Sequence, residues 1–180
     1  WSHAMGVKYV SIEKTAFVSS TNTITTINDT VYKKKYQYRN AKVVNNSVGR
    51  QKNYLTLNIG SLHGVKRDMA VISAAGVVGI VNDVSENFCS VMSLLHRDLK
   101  ISSKVKKDGS FGPLSWEGDD YRYGTLTDIP THVKLKQGDT IVTSSLSTIF
   151  PEGVLVGAVE SFERRSGQYF YTVKVKLSTP

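Results

Sequence analysis

The sequence predicts an all-β protein: two small six-stranded-type β-barrels, one inserted in the other, behind an N-terminal linker or coiled-coil remnant. Three observations carry this. Apolar and polar residues alternate over short runs. Turn-forming dipeptides punctuate those runs. Beyond residue 37 no segment keeps a helical period long enough for a helix. Short strands in this number suit closed barrels, because closure removes unpaired edges.

The N-terminus is set apart first. Trp1-Ser2-His3-Ala4-Met5-Gly6 reads as a tag remnant, so residues 1–6 stand outside the fold. Residues 7–36 are rich in Ser and Thr. Val10, Phe17, Ile24 and Val31 recur every seventh residue, as in a coiled-coil seam. The partner positions Glu13, Ser20, Ile27 and Lys34 hold one apolar residue, and the β-branched content opposes helix. This stretch is therefore read as a linker or the frayed end of a coiled coil.

Strands follow. Leu55, Leu57 and Ile59 alternate with Thr56 and Asn58. Tyr169, Tyr171, Val173, Val175 and Leu177 alternate with Phe170, Thr172, Lys174 and Lys176. A period of two is the pattern of a half-buried strand. Asp108-Gly109 and Ser166-Gly167 supply the positive φ angles of tight hairpins. Phe150-Pro151-Glu152-Gly153 suits a type I turn. A weak echo links Val65–Ile72 to Leu135–Val142, each followed by a Gly-bearing apolar strand: Gly76–Val81 with Gly79, and Gly153–Val159 with Gly157. Gly inside a strand marks a bulge or sharp bend. One barrel is assigned to 37–75 plus 133–180 and an inserted second barrel to 76–132. A sequential split near residue 95 is the alternative.

No catalytic or metal-ligating motif stands in the sequence. With one cysteine, Cys89, there is no internal disulfide, and Phe88-Cys89-Ser90-Val91-Met92 reads as a buried strand with an inert thiol. His63, His96 and His132 lack metal-ligand spacing. Ser144 and Ser145 sit in no nucleophile motif. Neither a P-loop nor a paired-carboxylate site is visible. The chain is read as a non-enzyme with no cofactor and no metal. The net charge of +8 favours anionic partners in general. Tyr32-Lys33-Lys34-Lys35-Tyr36-Gln37-Tyr38-Arg39 supports a nucleic-acid-binding barrel as the alternative function. Without RNP1 or KH signatures, the preferred reading has no nucleic acid.

Ala41–Ser47, then Leu57-Asn58-Ile59-Gly60 through Val81, and above all Gly138-Asp139-Thr140-Ile141-Val142-Thr143-Ser144 with Ile149-Phe150-Pro151-Glu152-Gly153 stand in order at fitting separations. Together they resemble the extracytoplasmic domain of the MreC family of bacterial rod shape-determining proteins. Ser145 departs from the family's usual Gly. The resemblance implies a membrane-anchored protein on the periplasmic side of the inner membrane, with its transmembrane helix upstream. It implies a scaffold of the cell-wall elongation machinery that self-associates as a homodimer or higher assembly. Its implied partners are MreD, the MreB system, RodA and a class B penicillin-binding protein. Gly79, Gly138, Asp139, Pro151, Gly153 and Gly157 would shape turns and bulges. Recognition would fall to exposed apolar groups: Phe170, on the outward parity of the last strand, and Ile149 and Phe150 at a turn tip. Phe150 as a plug of the barrel end is the competing reading.

Overall fold

The computed structural model describes residues 12–17, 37–47, 49–164 and 166–179. Among these described residues thirteen strands form three sheets. A two-stranded ladder pairs β1 (Ile12–Phe17) with β2 (Gln37–Ala41). Part of the stretch read as linker or coiled coil is thus a strand, in keeping with its β-branched residues; 7–11 and 18–36 lie outside the described residues. The next sheet holds β3 (Val43–Asn46), β4 (Lys52–Leu57), β5 (Ala70–Ser73), β6 (Gly76–Val84) and β7 (Cys89–His96), in the order β3-β4-β7-β6-β5. It curls into a half-barrel. The rest closes fully: β8 (Lys100–Val105), β9 (Phe111–Ser115), β10 (Tyr123–Pro130), β11 (Thr140–Thr143), β12 (Leu155–Arg164) and β13 (Phe170–Leu177) form the barrel β10-β13-β12-β11-β8-β9. A short 3₁₀ turn at Ser61–His63 is the only helical element among the described residues.

The strands therefore divide sequentially, at 97–99, and the inserted barrel expected from the sequence is corrected. The reason lies in the echo. Its two copies occupy equivalent places in the two halves; they are not neighbours in one barrel. Val71 faces Gly79 and Ile72 faces Val77, so Val78 is an extra residue; Ile141 faces Gly157 and Val142 faces Leu155, so Val156 is the extra one. On the other edge both ladders shift again, past Val81 and past Val159. Asp68 N–H donates to Val81 C=O at 2.9 Å, and Gly138 N–H donates to Val159 C=O at 2.8 Å. Asp68 and Gly138 both take left-handed φ, at 64° and 87°.

One hydrophobic core fills the barrel, with Ile101, Leu114, Leu126, Ile141, Val159 and Val173 among its buried members. It continues into the half-barrel through Ala70, Val77, Leu94 and Leu95. A second core, with Leu55, Leu57, Val71 and Val91, lies on the half-barrel's other face. The halves are fastened further by Thr179, whose hydroxyl donates to Val77 C=O at 2.6 Å.

Candidate protein-binding surface

The predicted structural residues take their places first. Gly79 and Gly157 are sites of close approach: a Cβ would stand 2.1 Å from Met92 O at one and 2.2 Å from Lys176 O at the other. Gly138 and Gly153 have open space around them and matter for φ, at 87° and 86°. The Asp139 carboxylate accepts from Lys107 Nζ and from the Lys136 N–H. Burial opposes its ionisation, but these two partners outweigh it and hold the group below the usual carboxylate range. Pro151 is buried, and its C=O accepts from the buried Thr143 hydroxyl, which in turn accepts from Val154 N–H at 2.9 Å.

The three docking candidates separate. Phe150 is 2% exposed and part of the barrel core. It plugs the barrel end and is corrected from the list of docking groups. Ile149 is half-buried against the same core and faces a cleft between the halves. Phe170 is 49% exposed, on the outward parity read from the sequence.

Phe170 does not stand alone. It lines a groove of about 770 Å³ with Phe111, Pro113, Pro130 and Asp128. Phe111 is also about half exposed, and Tyr169 beside Phe170 is more so. Local backbone builds this groove. Phe170 and Pro130 are paired across β13 and β10. Strand β10 bulges between Leu126 and Ile129, with Asp128 at φ 64°. Gly112 lets β9 close on that bulge, since a Cβ there would lie 1.8 Å from Thr127 O. Gly112 and Leu114 are buried two residues apart, so the alternate positions Phe111 and Pro113 share the other, outward face. That parity is the signal for Phe111 in the sequence. Two half-exposed phenylalanines offer ~100 Å² each, so covering both is worth up to ~5 kcal/mol.

Cys89 is buried, and burial pushes its thiol up to about 11. Ser144 is buried, its Oγ accepting from Leu146 N–H. His63 Nδ1 accepts from Gly60 N–H. No group of three or more potential metal ligands exists among the described residues.

A closed six-stranded barrel fused to a curled five-stranded half-barrel, with an aromatic groove on the barrel's outer wall, defines the class: an all-β double-barrel protein. Comparison with known proteins gives the family. Residues 43–180 match the family description "Rod shape-determining protein MreC, barrel core". The chain is 32% identical over 131 residues to the cell shape-determining protein MreC of Listeria monocytogenes, covering 71% of this chain and 44% of that protein. It is 31% identical over 143 residues to MreC of Bacillus subtilis, covering 74% of this chain and 49% of that protein. The chain thus spans about half the length of these curated relatives. A solved MreC from Listeria monocytogenes superposes with TM-score 0.72 at 28% identity, over 78% of this chain and 68% of that one. An MreC from Pseudomonas aeruginosa shares the fold with TM-score 0.71 at 23% identity, over 77% of this chain and 88% of that one. Another similar structure, at 26% identity, is the major periplasmic domain of the cell shape-determining filament MreC. The MreC in a complex with penicillin-binding protein PBP2 from Helicobacter pylori shares the fold with TM-score 0.54 at 19% identity, over 68% of this chain and 75% of that one. The chain belongs to the MreC family of cell shape-determining proteins.

Proposed function

We propose that this chain is the periplasmic β-region of a membrane-anchored scaffold in the cell-wall elongation machinery. It docks a class B penicillin-binding protein on the barrel's outer wall. The observation that carries the reading is the groove between Phe111 and Phe170, an exposed apolar surface on the barrel's outer wall. The Helicobacter pylori complex of PBP2 with an MreC of this fold supports the choice of partner. Self-association and contacts with MreD, RodA and the MreB system belong to the same proposal.

The test uses the full-length protein and the class B penicillin-binding protein of the same cell. Phe170→Asp and Phe111→Asp each remove one aromatic anchor and desolvate a charge, so Kd rises by at least ~10-fold while the melting temperature holds. Phe150→Ala is the contrast. It loses ~3–5 kcal/mol of stability, because it empties the barrel end. Unchanged Kd in both folded Asp variants overturns the docking surface. Tight, salt-steep binding of DNA or RNA by the wild-type chain would instead favour the nucleic-acid alternative.

A further inference from the structure

His96 ends β7 and is 1% exposed. Residues 97–99 follow it and are the only residues between the half-barrel and the barrel. Both ring nitrogens are engaged. Nδ1 accepts the Asp98 backbone N–H at 3.1 Å, and Nε2 lies 3.1 Å from the Tyr54 hydroxyl. A backbone N–H can only donate, so Nδ1 carries no proton and Nε2–H donates to Tyr54. The imidazole is neutral in this arrangement.

The groups facing it come from two elements. From β4, the Tyr54 ring stands edge-on with centroids 5.0 Å apart, and Lys52 is the cross-strand partner of His96. From the connector come Arg97 and Asp98. The Asp98 carboxylate is 2.8 Å from Lys52 Nζ and 4.0 Å from His96 Nδ1. The turn is anchored through His96 C=O, which accepts from Leu99 N–H at 3.0 Å. Arg97 is tied to Gln51 by both its backbone and its guanidinium. Buried Asn53 donates to Leu95 C=O at 2.7 Å.

We propose that His96 is a pH-sensitive latch on the joint between the two halves. Neutral, it holds the Asp98 backbone. A proton taken from solvent adds to the Nδ1 lone pair and places N–H against N–H, so that bond breaks. The Asp98 carboxylate then leaves Lys52 for the new imidazolium. Asp98 also lines the cleft between the halves, with Leu99, Met92, Ile80 and Ile149, so the switch changes the cleft's charge and shape. Burial favours the neutral ring and holds its pKa below the ordinary histidine value; Asp98 pulls the other way, and Lys52 reinforces burial. The folded state therefore prefers the unprotonated ring. The latch is fully closed above the unfolded-state pKa of ~6.5 and is lost as pH falls from there through the lower folded pKa.

The test is an NMR titration of this chain from about pH 8 to about pH 4.5, reading the His96 ring and the Asp98 amide. The Asp98 amide shift follows the His96 titration, and its hydrogen exchange, corrected for intrinsic pH dependence, speeds by at least ~10-fold once the ring is charged. His96→Gln keeps an acceptor for Asp98 N–H without a titrating ring, and there the Asp98 response is flat. The exposed His63 and His132 remain in that variant, so they cannot account for the difference. The proposal is overturned if His96 titrates at or above the ordinary value, if the Asp98 amide ignores its titration, or if His96→Gln responds as the wild type does. Should that variant fail to fold, the two wild-type curves decide alone.

Discussion

Alanine at Gly157 tests whether the two halves are built on one plan. The added Cβ would stand 2.2 Å from the Lys176 carbonyl oxygen, a backbone atom near one end of the β12–β13 ladder. An ordinary contact needs the strands to part by on the order of 1 Å, an overpacking cost of ~1–3 kcal/mol. With a urea m-value of ~1–3 kcal/mol/M, the unfolding midpoint falls by ~1 M. Gly79→Ala meets Met92 O at 2.1 Å in the equivalent register and should fall in the same range. The contrast is Gly153, where the need is conformational: φ is 86° and the space is open. Asn tolerates that region, so Gly153→Asn costs only a few tenths of a kcal/mol, whereas Gly157→Asn gives no rescue. Equilibrium urea unfolding followed by fluorescence and circular dichroism reads all four. A Gly157→Ala midpoint equal to wild type, or Gly153→Asn as damaging as Gly157→Asn, would refute the close-approach argument.

Two further outcomes follow from buried groups. Thr143→Val keeps the shape of a buried side chain but leaves Pro151 C=O and Val154 N–H without their hydroxyl partner, costing ~1–3 kcal/mol for each group left unpaired; calorimetry checks it, and an unchanged melting temperature would contradict the assigned bonds. The Cys89 thiol, buried and raised to about 11, should react with a disulfide reagent near pH 8 only through opening of the half-barrel, so its labelling rate rises with urea; fast labelling of the native chain would place that thiol at the surface.

What could be read in advance follows from how local each signal is. The parity of Val173, Val175 and Leu177 needs only the pleat, and it placed Phe170 outward correctly. The bulge-forming Gly79 and Gly157 were visible because a strand interior seldom wastes a position on Gly. Phe150 was misjudged because a turn tip is exposed by default, yet this turn folds back over an open barrel end that needs a plug. The strand partition was misjudged because an echo between two segments does not say whether they lie side by side or in separate copies. His96 carries no burial signal of its own in the sequence: it packs on Tyr54, 42 residues away, and no local pattern reports that contact. The groove was half missed for a similar reason. Phe111 and Phe170 meet only because β9 and β10 close the barrel, and closure is a property of the whole sheet.

The shared plan also explains why one half closes and the other does not. In the second half, β8 turns through Asp108-Gly109 into β9 and its other edge pairs with β11, so the sheet meets itself. In the first half, β2 runs into β3 across a single residue, Lys42, which is too short for a hairpin. Among the described residues no strand hydrogen-bonds to both β3 and β5, and β1, paired with β2, packs beside β5 at that edge, so the ladder of the half-barrel stays open. An open sheet has two faces to cover. One folds over its own core, and the other sends Ala70, Val77, Leu94 and Leu95 into the core of the barrel. The closed barrel has no such obligation on its outer wall. Its strands are satisfied from within, so bulky groups such as Phe111 and Phe170 can face outward without opening an edge to aggregation. The closed ladder of the barrel thus leaves Phe111 and Phe170 on its outer wall, the face proposed above for docking.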